Sequence, residues 1–123
     1  MKARRLTATL LAMTMLGVLF LASGCENEQY GHRPPPGQGS LIVDNLTGAR
    51  LDVFVDGALV GDVRAWRDRA WDLPPGVHRL ALRERDDRRY FGGDTDIVAD
   101  RRTIAQVHLR PDGAGLQIVF LMD

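Results

Sequence analysis

The sequence predicts an all-β protein, a small antiparallel β-sandwich of immunoglobulin-like kind, which follows a leader and a proline-rich tether. From Ser40 onward, apolar and polar residues alternate with a period of two. Glycine- and proline-containing turn sequences separate these runs, and no stretch after the leader has the period of an amphipathic helix. Short strands at this spacing are typical of a sandwich or barrel.

The first 24 residues have the three parts of a secretory signal peptide. Basic residues lie within 1–5, an uncharged and largely apolar run occupies 6–22, and Ser23 and Gly24 end the segment. The run is slightly shorter than the ~20 apolar residues of a typical membrane-spanning helix. We therefore predict a signal peptide over 1–24 that is removed by cleavage between Gly24 and Cys25. The alternative is an uncleaved signal anchor with an incidental cysteine.

The sequence Leu-Ala-Ser-Gly-Cys at 21–25 resembles the lipobox of bacterial lipoproteins. In that family the cysteine is lipidated and becomes the first mature residue, so the resemblance implies a lipid anchor on Cys25. Gly24 matches the pattern, whereas Ala22 stands where leucine is usual. Several acyl chains together hold a protein stably at a bilayer. Cys25 is the only cysteine, so the chain forms no internal disulfide.

The expected location is the cell envelope. Glu26, which follows the cysteine in place of an aspartate, resembles lipoproteins that are sorted to the outer membrane. The domain would then face the periplasm or the cell surface. Residues 25–39 are predicted to be the lipidated N-terminus and a flexible linker, because Pro34-Pro35-Pro36 favours an extended spacer. A proline-rich ligand is the alternative, and His32 is expected to be solvated.

The charge of the mature segment argues against nucleic acid as a partner. Residues 25–123 contain 13 of the 16 basic residues (16 − 3) and all 16 acidic ones, a side-chain balance of 13 − 16 = −3. Binding to phosphates needs a clustered basic excess. Here arginines alternate with aspartates, as in Arg67-Asp68-Arg69, which is typical of a solvated surface of mixed charge.

The β-sandwich domain is predicted over 40–123. Asp56-Gly57 is typical of a tight hairpin, and three further turn sequences, Pro74-Pro75-Gly76, Gly92-Gly93 and Pro111-Asp112-Gly113, follow it. Strands are predicted near 41–45, 50–56, 58–63, 65–72, 77–84, 95–99, 102–110 and 115–122. The last of these is apolar on both faces, which predicts a central or covered strand. At an open edge it would be a docking strand or an aggregation hazard.

Two segments resemble the PEGA domain, a small β-sandwich of bacterial surface and envelope proteins. The first runs from Thr47-Gly48-Ala49 to Asp56-Gly57, and the second is Leu-Pro-Pro-Gly-Val-His-Arg-Leu-Ala-Leu at 73–82. The match covers 40–110, but Leu46-Thr47 replaces the Pro-Glu of the family name. The segment 62–72, which contains both tryptophans, stands where the family often has Thr-Pro after its second glycine. The resemblance implies a structural or adhesive module without catalytic residues.

No catalytic residues or cofactors are predicted, and we expect the protein not to be an enzyme. Ser40 is the only serine of the domain, and no phosphate-binding loop is present. No metal site is predicted either. His78 and His108 on strands lack the spacing of a zinc site, and His78 is expected to be a hydrogen-bonded histidine at the edge of the core. Asp94, Asp96 and Asp100 are expected to form a polar turn, with calcium as the alternative.

Trp66 and Trp71 are the candidate contacts for a ligand or partner. Their odd spacing on one regular strand would place one indole in the core and the other outside, unless a turn or bulge intervenes. An exposed Trp among Arg and Asp can stack on a sugar or anchor a protein. The alternative is that both rings pack. The predicted function is therefore a lipid-anchored envelope protein with a non-catalytic structural, adhesive or assembly role and envelope proteins as partners. The alternative is a module that binds carbohydrate or peptidoglycan.

Overall fold

The computed structural model describes residues 30–86 and 89–123. The predicted signal peptide and the lipidation site at Cys25 lie outside the described residues. By its contacts the chain divides into Met1–Gly31 and a compact unit, His32–Asp123, which contains the β-structure. Within the described residues no helix is long and apolar enough to cross a bilayer.

The described residues form eight strands in two four-stranded sheets, which confirms the all-β sandwich. Sheet 1 has the strand order β4-β1-β7-β8, and sheet 2 has the order β3-β2-β5-β6. The strands are β1 Gly39–Asn45, β2 Leu51–Val55, β3 Ala58–Val63, β4 Asp68–Leu73, β5 Gly76–Glu84, β6 Tyr90–Ile97, β7 Arg102–Leu109 and β8 Leu116–Met122.

One strand pair departs from the predicted antiparallel arrangement. β1 and β7 are parallel neighbours, with Ile42 opposite Ile104. Only strands joined by a tight hairpin must be antiparallel. Between β1 and β7 the chain passes through sheet 2, so no hairpin sets their relative direction. The other ladders, including β1 with β4 and β7 with β8, are antiparallel as predicted.

The core lies between the two sheets and is built from alternate residues of their strands. This is the consequence of the period-two pattern, because successive side chains of a strand point to opposite faces. Its buried apolar members are Leu41, Val43, Leu51, Val53, Val55, Val63, Leu80, Leu82, Ile97, Ala105, Val107 and Leu116. The dense packing fits a domain of this size that has no disulfide to stabilise it.

Turn predictions hold where glycine allows a positive φ angle. Asp56 and Gly57 join β2 to β3 with φ angles of 52° and 86°, as a two-residue hairpin requires. Gly92-Gly93, in contrast, was wrongly predicted as a turn, since both residues lie within β6, which begins at Tyr90 rather than near 95. A Cβ on Gly93 would lie 3.0 Å from the Phe91 ring, so this glycine makes room for the aromatic side chain.

The strand predicted over 65–72 begins later, at Asp68, because a turn at 65–66 separates β3 from β4. The prediction for β8 was wrong in a more consequential way. Among the described strands, β8 lies at the edge of sheet 1 and pairs only with β7, and it is neither central nor covered over most of its length. Its four residues 119–122 are each about 40–50% exposed.

Part of the predicted linker belongs to the compact unit. Gly37 donates its backbone N–H to Asp100 Oδ1 at 2.9 Å, and Asp100 N donates to Gln38 O at 2.7 Å. His32 Nε2 lies 2.6 Å from Asp72 Oδ1, so this histidine is not simply solvated as expected. The unit therefore begins at His32, ahead of the predicted boundary at residue 40.

Candidate functional site

The most exposed aromatic candidate from the sequence, Trp66, lies in the turn that carries the chain from sheet 2 to sheet 1. Arg67 N donates to Arg64 O across this turn at 3.2 Å. Trp66 has a φ angle of 62° and its side chain is 66% exposed. Positive φ at this position favours glycine, and holding a bulky residue there costs about 1 kcal/mol. A strained and exposed Trp points to a role other than packing.

Charged groups surround the base of this turn. A shallow depression beside it is lined by Asp62, Arg64, Arg67, Asp68 and Arg69, together with Val63. Partial burial, together with the charge of Asp44 on the neighbouring strand β1, raises the pKa of the Asp68 carboxyl. The turn therefore presents one indole ring beside hydrogen-bond donors and acceptors, a combination that suits a hydroxyl-rich ligand.

Trp71 is engaged within the domain. It lies on β4 opposite Leu41, and its ring packs half-buried against the core. Its indole Nε1 donates to Val60 O at 3.3 Å, and the Arg69 guanidinium lies 5.0 Å from the ring centroid. Because Trp66 is in the turn and Trp71 is in the strand, the two residues do not alternate along one strand. Of the two indole rings, that of Trp66 is the exposed one.

The segments 47–57 and 73–82 meet at His78. His78 Nδ1 lies 2.7 Å from Asp56 Oδ2, and His78 Nε2 lies 2.7 Å from Pro74 O. Asp56 Oδ1 also accepts the backbone N–H of Arg79 at 2.9 Å. The ring thus ties the β2–β3 hairpin to the entry of β5, and the expectation of a hydrogen-bonded histidine at the edge of the core is confirmed. Both ring nitrogens face acceptors, which favours the doubly protonated imidazolium.

This geometry predicts a pH dependence of stability. The hydrogen bond to Asp56, followed by that to Pro74, raises the pKa of His78 above its usual 6.5 in the folded protein. The stabilisation is therefore fully present below the unfolded-state pKa and is lost as the pH rises through the folded-state pKa. We expect the free energy of unfolding to decline as the pH rises above the usual histidine pKa of 6.5, and His78→Gln to flatten that decline.

Chemical denaturation at a series of pH values measures this effect, and His108→Gln is the matched control. His108 lies on β7 in the other sheet, so its replacement should leave the decline in place. An equal slope in wild type and His78→Gln would rule out the imidazolium assignment. At the acid end, the hydrogen bond from Arg79 N and then that from His78 lower the pKa of Asp56. The stabilisation that the ionised Asp56 contributes to the folded state is therefore lost only as the pH falls through its lowered pKa.

The candidate metal ligands do not converge. His78 belongs to sheet 2 and His108 to sheet 1. Asp100 accepts the N–H of Gly37, and Asp94 lies 3.4 Å from the Arg79 guanidinium. Within residues 30–86 and 89–123, no three His, Cys, Asp or Glu side chains form a group that could hold a metal ion.

Ser40, Asp72 and His32 do come together, which sequence reasoning missed. Asp72 Oδ1 accepts the Ser40 hydroxyl at 2.7 Å, and the same atom lies 2.6 Å from His32 Nε2. Hydrogen bonds from Ser40 and then from His32 lower the pKa of Asp72. The carboxylate lies between the serine and the histidine, whereas activation of a nucleophile requires the histidine to contact the serine. The cluster attaches the start of the compact unit to β4.

A second charged cluster lies on the outer face of sheet 2. Asp52 is almost fully buried there, with Oδ1 2.7 Å from Arg85 Nη2 and Oδ2 3.3 Å from Arg83 Nη2. The hydrogen bond from Arg85 is the main reason why the pKa of Asp52 lies below its usual range. Asp52 is therefore a buried carboxylate that is paired with two half-exposed arginines.

An apolar cleft opens where the edges of the two sheets meet. It is lined by Phe120, Leu121 and Met122 from β8 and by the β6 residues Asp94, Thr95 and Asp96. Phe120 also contacts Phe91 on β6, with the two ring centroids 6.4 Å apart. The buried Thr95 hydroxyl has no hydrogen-bond partner among the described residues. The sequence did not indicate this cleft, because it depends on which strands lie at the edges.

Comparison with known proteins supports the fold. No protein-family model matches this chain, and no curated protein matches it either. Among solved structures, the N-terminal domain of AlgF from P. aeruginosa is similar, with a TM-score of 0.52 at 19% sequence identity. The match covers 70% of this chain and 95% of that domain. The similarity shows that this small β-sandwich fold also occurs in AlgF, and the PEGA resemblance stays an expectation from sequence.

Proposed function

We propose that this chain is a lipid-anchored protein of the bacterial cell envelope whose PEGA-like β-sandwich serves a non-catalytic structural, adhesive or assembly role. The observation that carries the proposal is the position of Cys25, the only cysteine, directly after a basic and apolar leader and Gly24. Lipidation there would account for both the leader and the lone thiol. The proposed location is the outer membrane, facing the periplasm or the cell surface.

The extent of the compact unit adds a distance limit to this proposal. Only residues 26–31 lie between Cys25 and the start of the unit at His32. Six residues span at most about 20 Å when fully extended. The sandwich would therefore be held near the bilayer surface, which suits a partner in the membrane or in the nearest layer of the envelope.

Replacing Cys25 by serine tests the anchor. We expect Cys25→Ser to abolish fatty-acid labelling and to leave an uncleaved or released precursor, because serine has no thiol to accept the lipid. Metabolic labelling and membrane fractionation in the native host measure both effects. Ser23→Ala is the matched control and should retain label. Unchanged mass and unchanged membrane association of Cys25→Ser would contradict the proposal.

The second candidate function is binding of carbohydrate or peptidoglycan through Trp66. The observation in its favour is an indole that is 66% exposed at a φ angle of 62°, beside arginines and aspartates. Stacking on an aromatic face is a common way for proteins to hold sugar rings.

Trp66→Gly separates binding from stability. Glycine accepts the positive φ, so we expect this variant to be as stable as the wild type or more stable by about 1 kcal/mol. Its retention on purified peptidoglycan should nevertheless fall to background, since the stacking ring is gone. Val77→Ala, at an equally exposed position, should retain binding. If the wild type is not retained, or Trp66→Gly is retained equally, the carbohydrate function is excluded.

A further inference from the structure

The free edge of β8 lacks the features that normally protect an edge strand. Four consecutive apolar side chains are exposed there, Val119 at 39%, Phe120 at 40%, Leu121 at 43% and Met122 at 49%. Residues 116–122 contain no charged residue and no proline. Natural proteins place such residues, bulges or covering segments at edges to prevent pairing with another chain. An edge without them is suited to pair with a further strand.

Half of the backbone N–H and C=O groups of β8 point to the open edge, as such pairing requires. Arg102 and Asp123 exchange both backbone hydrogen bonds, and Arg110 N donates to Gly115 O. Because the two kinds of pair alternate along an antiparallel ladder, the odd-numbered residues of β8 direct their N–H and C=O groups to β7. Those of Leu116, Ile118, Phe120 and Met122 therefore point to the open edge.

We infer that β8 pairs antiparallel with β8 of a second copy of this chain, about a two-fold axis at Val119. In this register Ile118 lies opposite Phe120 of the other copy, and Leu116 lies opposite Met122. These are the residues whose backbone groups face away from β7 and pair with no other described strand. Val119 meets its counterpart across the axis on the outer face, and the two copies of sheet 1 join into one continuous sheet. Such an isologous contact closes on itself and does not propagate into a fibre.

The charges at the two ends of β8 support a second copy as the occupant. At the Met122 end, Asp94 and Asp96 line the cleft, and Asp96 forms no ion pair with other described residues. At the Leu116 end, Arg110 lines the neighbouring depression and pairs with the exposed Asp112, whereas Arg89 in the same depression is held by the buried Glu84. Antiparallel pairing brings the acidic end of one copy to the basic end of the other. Arg79, which pairs with Asp94, and Asp112, which pairs with Arg110, are both exposed, so these two ion pairs can persist in the dimer.

A cysteine at residue 119 tests both the contact and its register. In a non-hydrogen-bonded antiparallel pair the Cα atoms are about 4.5 Å apart, within the range for a disulfide. We therefore expect full-length Val119→Cys to form a disulfide-linked homodimer in membranes under mild oxidation. Gln117→Cys and Leu121→Cys should each fail to form one alone, but should cross-link when the two variants are expressed together.

The wild type and Leu59→Cys are the controls. The wild type reports any disulfide through Cys25, and Leu59 is 60% exposed on the edge strand β3 of the other sheet. Equal cross-linking of Leu59→Cys and Val119→Cys would show random collision and overturn the inference. Cross-linking of Val119→Cys only to a different protein would overturn it as well, because the occupant would then not be a second copy.

A charge at the axis provides a test without oxidation. Val119→Lys places two ammonium groups at the two-fold axis, so the detergent-extracted protein should change from dimer to monomer by light scattering. Val119→Thr should remain a dimer. A wild type that is monomeric throughout would contradict the inference. This test does not depend on the lipid anchor, since Cys25→Ser in the same assay should leave the dimer intact.

Discussion

Replacing Asn45 by aspartate is expected to be among the most damaging single substitutions in the domain, with a loss of about 4 kcal/mol in the free energy of unfolding. Asn45 is fully buried at the end of β1. Its Nδ2 donates to the carbonyl oxygens of Ala49, Val63 and Arg64 at 2.7, 3.1 and 3.1 Å. A carboxylate would direct an acceptor at three acceptors in a fully buried site.

The amide oxygen of Asn45 is also hydrogen-bonded, and aspartate would preserve that contact. Asn45 Oδ1 accepts both the backbone N–H of Thr47 at 3.0 Å and its hydroxyl at 2.7 Å. Aspartate keeps this acceptor oxygen and replaces only the donor nitrogen by a second acceptor. We expect Asn45→Asp to be at least as destabilising as Asn45→Ala. Gln38→Glu, the same change of amide to acid at an exposed position, should stay within about 0.5 kcal/mol of the wild type.

Urea denaturation monitored by tryptophan fluorescence measures these differences. Asn45 holds the crossing loop of 46–50 against the end of β3, so its loss should also weaken the contact between the two sheets at this side. A midpoint for Asn45→Asp close to that of the wild type would mean that the amide is not the donor to these carbonyls.

The second large effect is expected at the buried pair Glu84–Arg89. Glu84 is 1% exposed, and Arg89 Nε lies 3.0 and 3.1 Å from its two carboxylate oxygens. Arg89→Ala leaves this carboxylate buried without its partner, which should cost about 3–5 kcal/mol. Arg89 Nη1 also donates to Gly113 O at 3.0 Å, so the β7–β8 loop should loosen in the same variant.

A double variant distinguishes the unpaired charge from lost packing. Glu84→Leu combined with Arg89→Leu removes both charges, and replacement of a buried pair by apolar residues is often close to neutral. We expect the double variant to be more stable than Arg89→Ala alone, although it still loses the bond to Gly113. Thermal unfolding of the two single variants and the double variant gives the coupling energy. A double variant less stable than Arg89→Ala would contradict the role assigned to the buried charge.

Local patterns predicted most of the strands because side-chain alternation and turn chemistry are encoded within a few residues. The hairpin at Asp56-Gly57 is an example, since two adjacent residues with positive φ define it. The turn at Trp66 was missed because it contains neither glycine, proline nor asparagine. The pair Gly92-Gly93 gave a false turn prediction, since both glycines lie within β6 and Gly93 makes room there for the Phe91 ring.

Features that depend on distant pairing were beyond the sequence pattern. Whether β8 is central or at an edge depends on which strands flank it, and its apolar residues alone indicated burial. The contact of His78 with Asp56 joins residues 22 positions apart, and that of His32 with Asp72 joins residues 40 apart. For Asn45 a local signal did exist, because an asparagine two residues before a threonine favours a side-chain capped turn.

The most direct test of the central claim is the intact mass of the protein extracted from membranes of its native host. Our account predicts a chain that starts at Cys25 and is heavier than residues 25–123 by the mass of its acyl chains. Delipidation should return the mass of the bare chain. A soluble chain that retains residues 1–24 and carries no lipid would contradict the account.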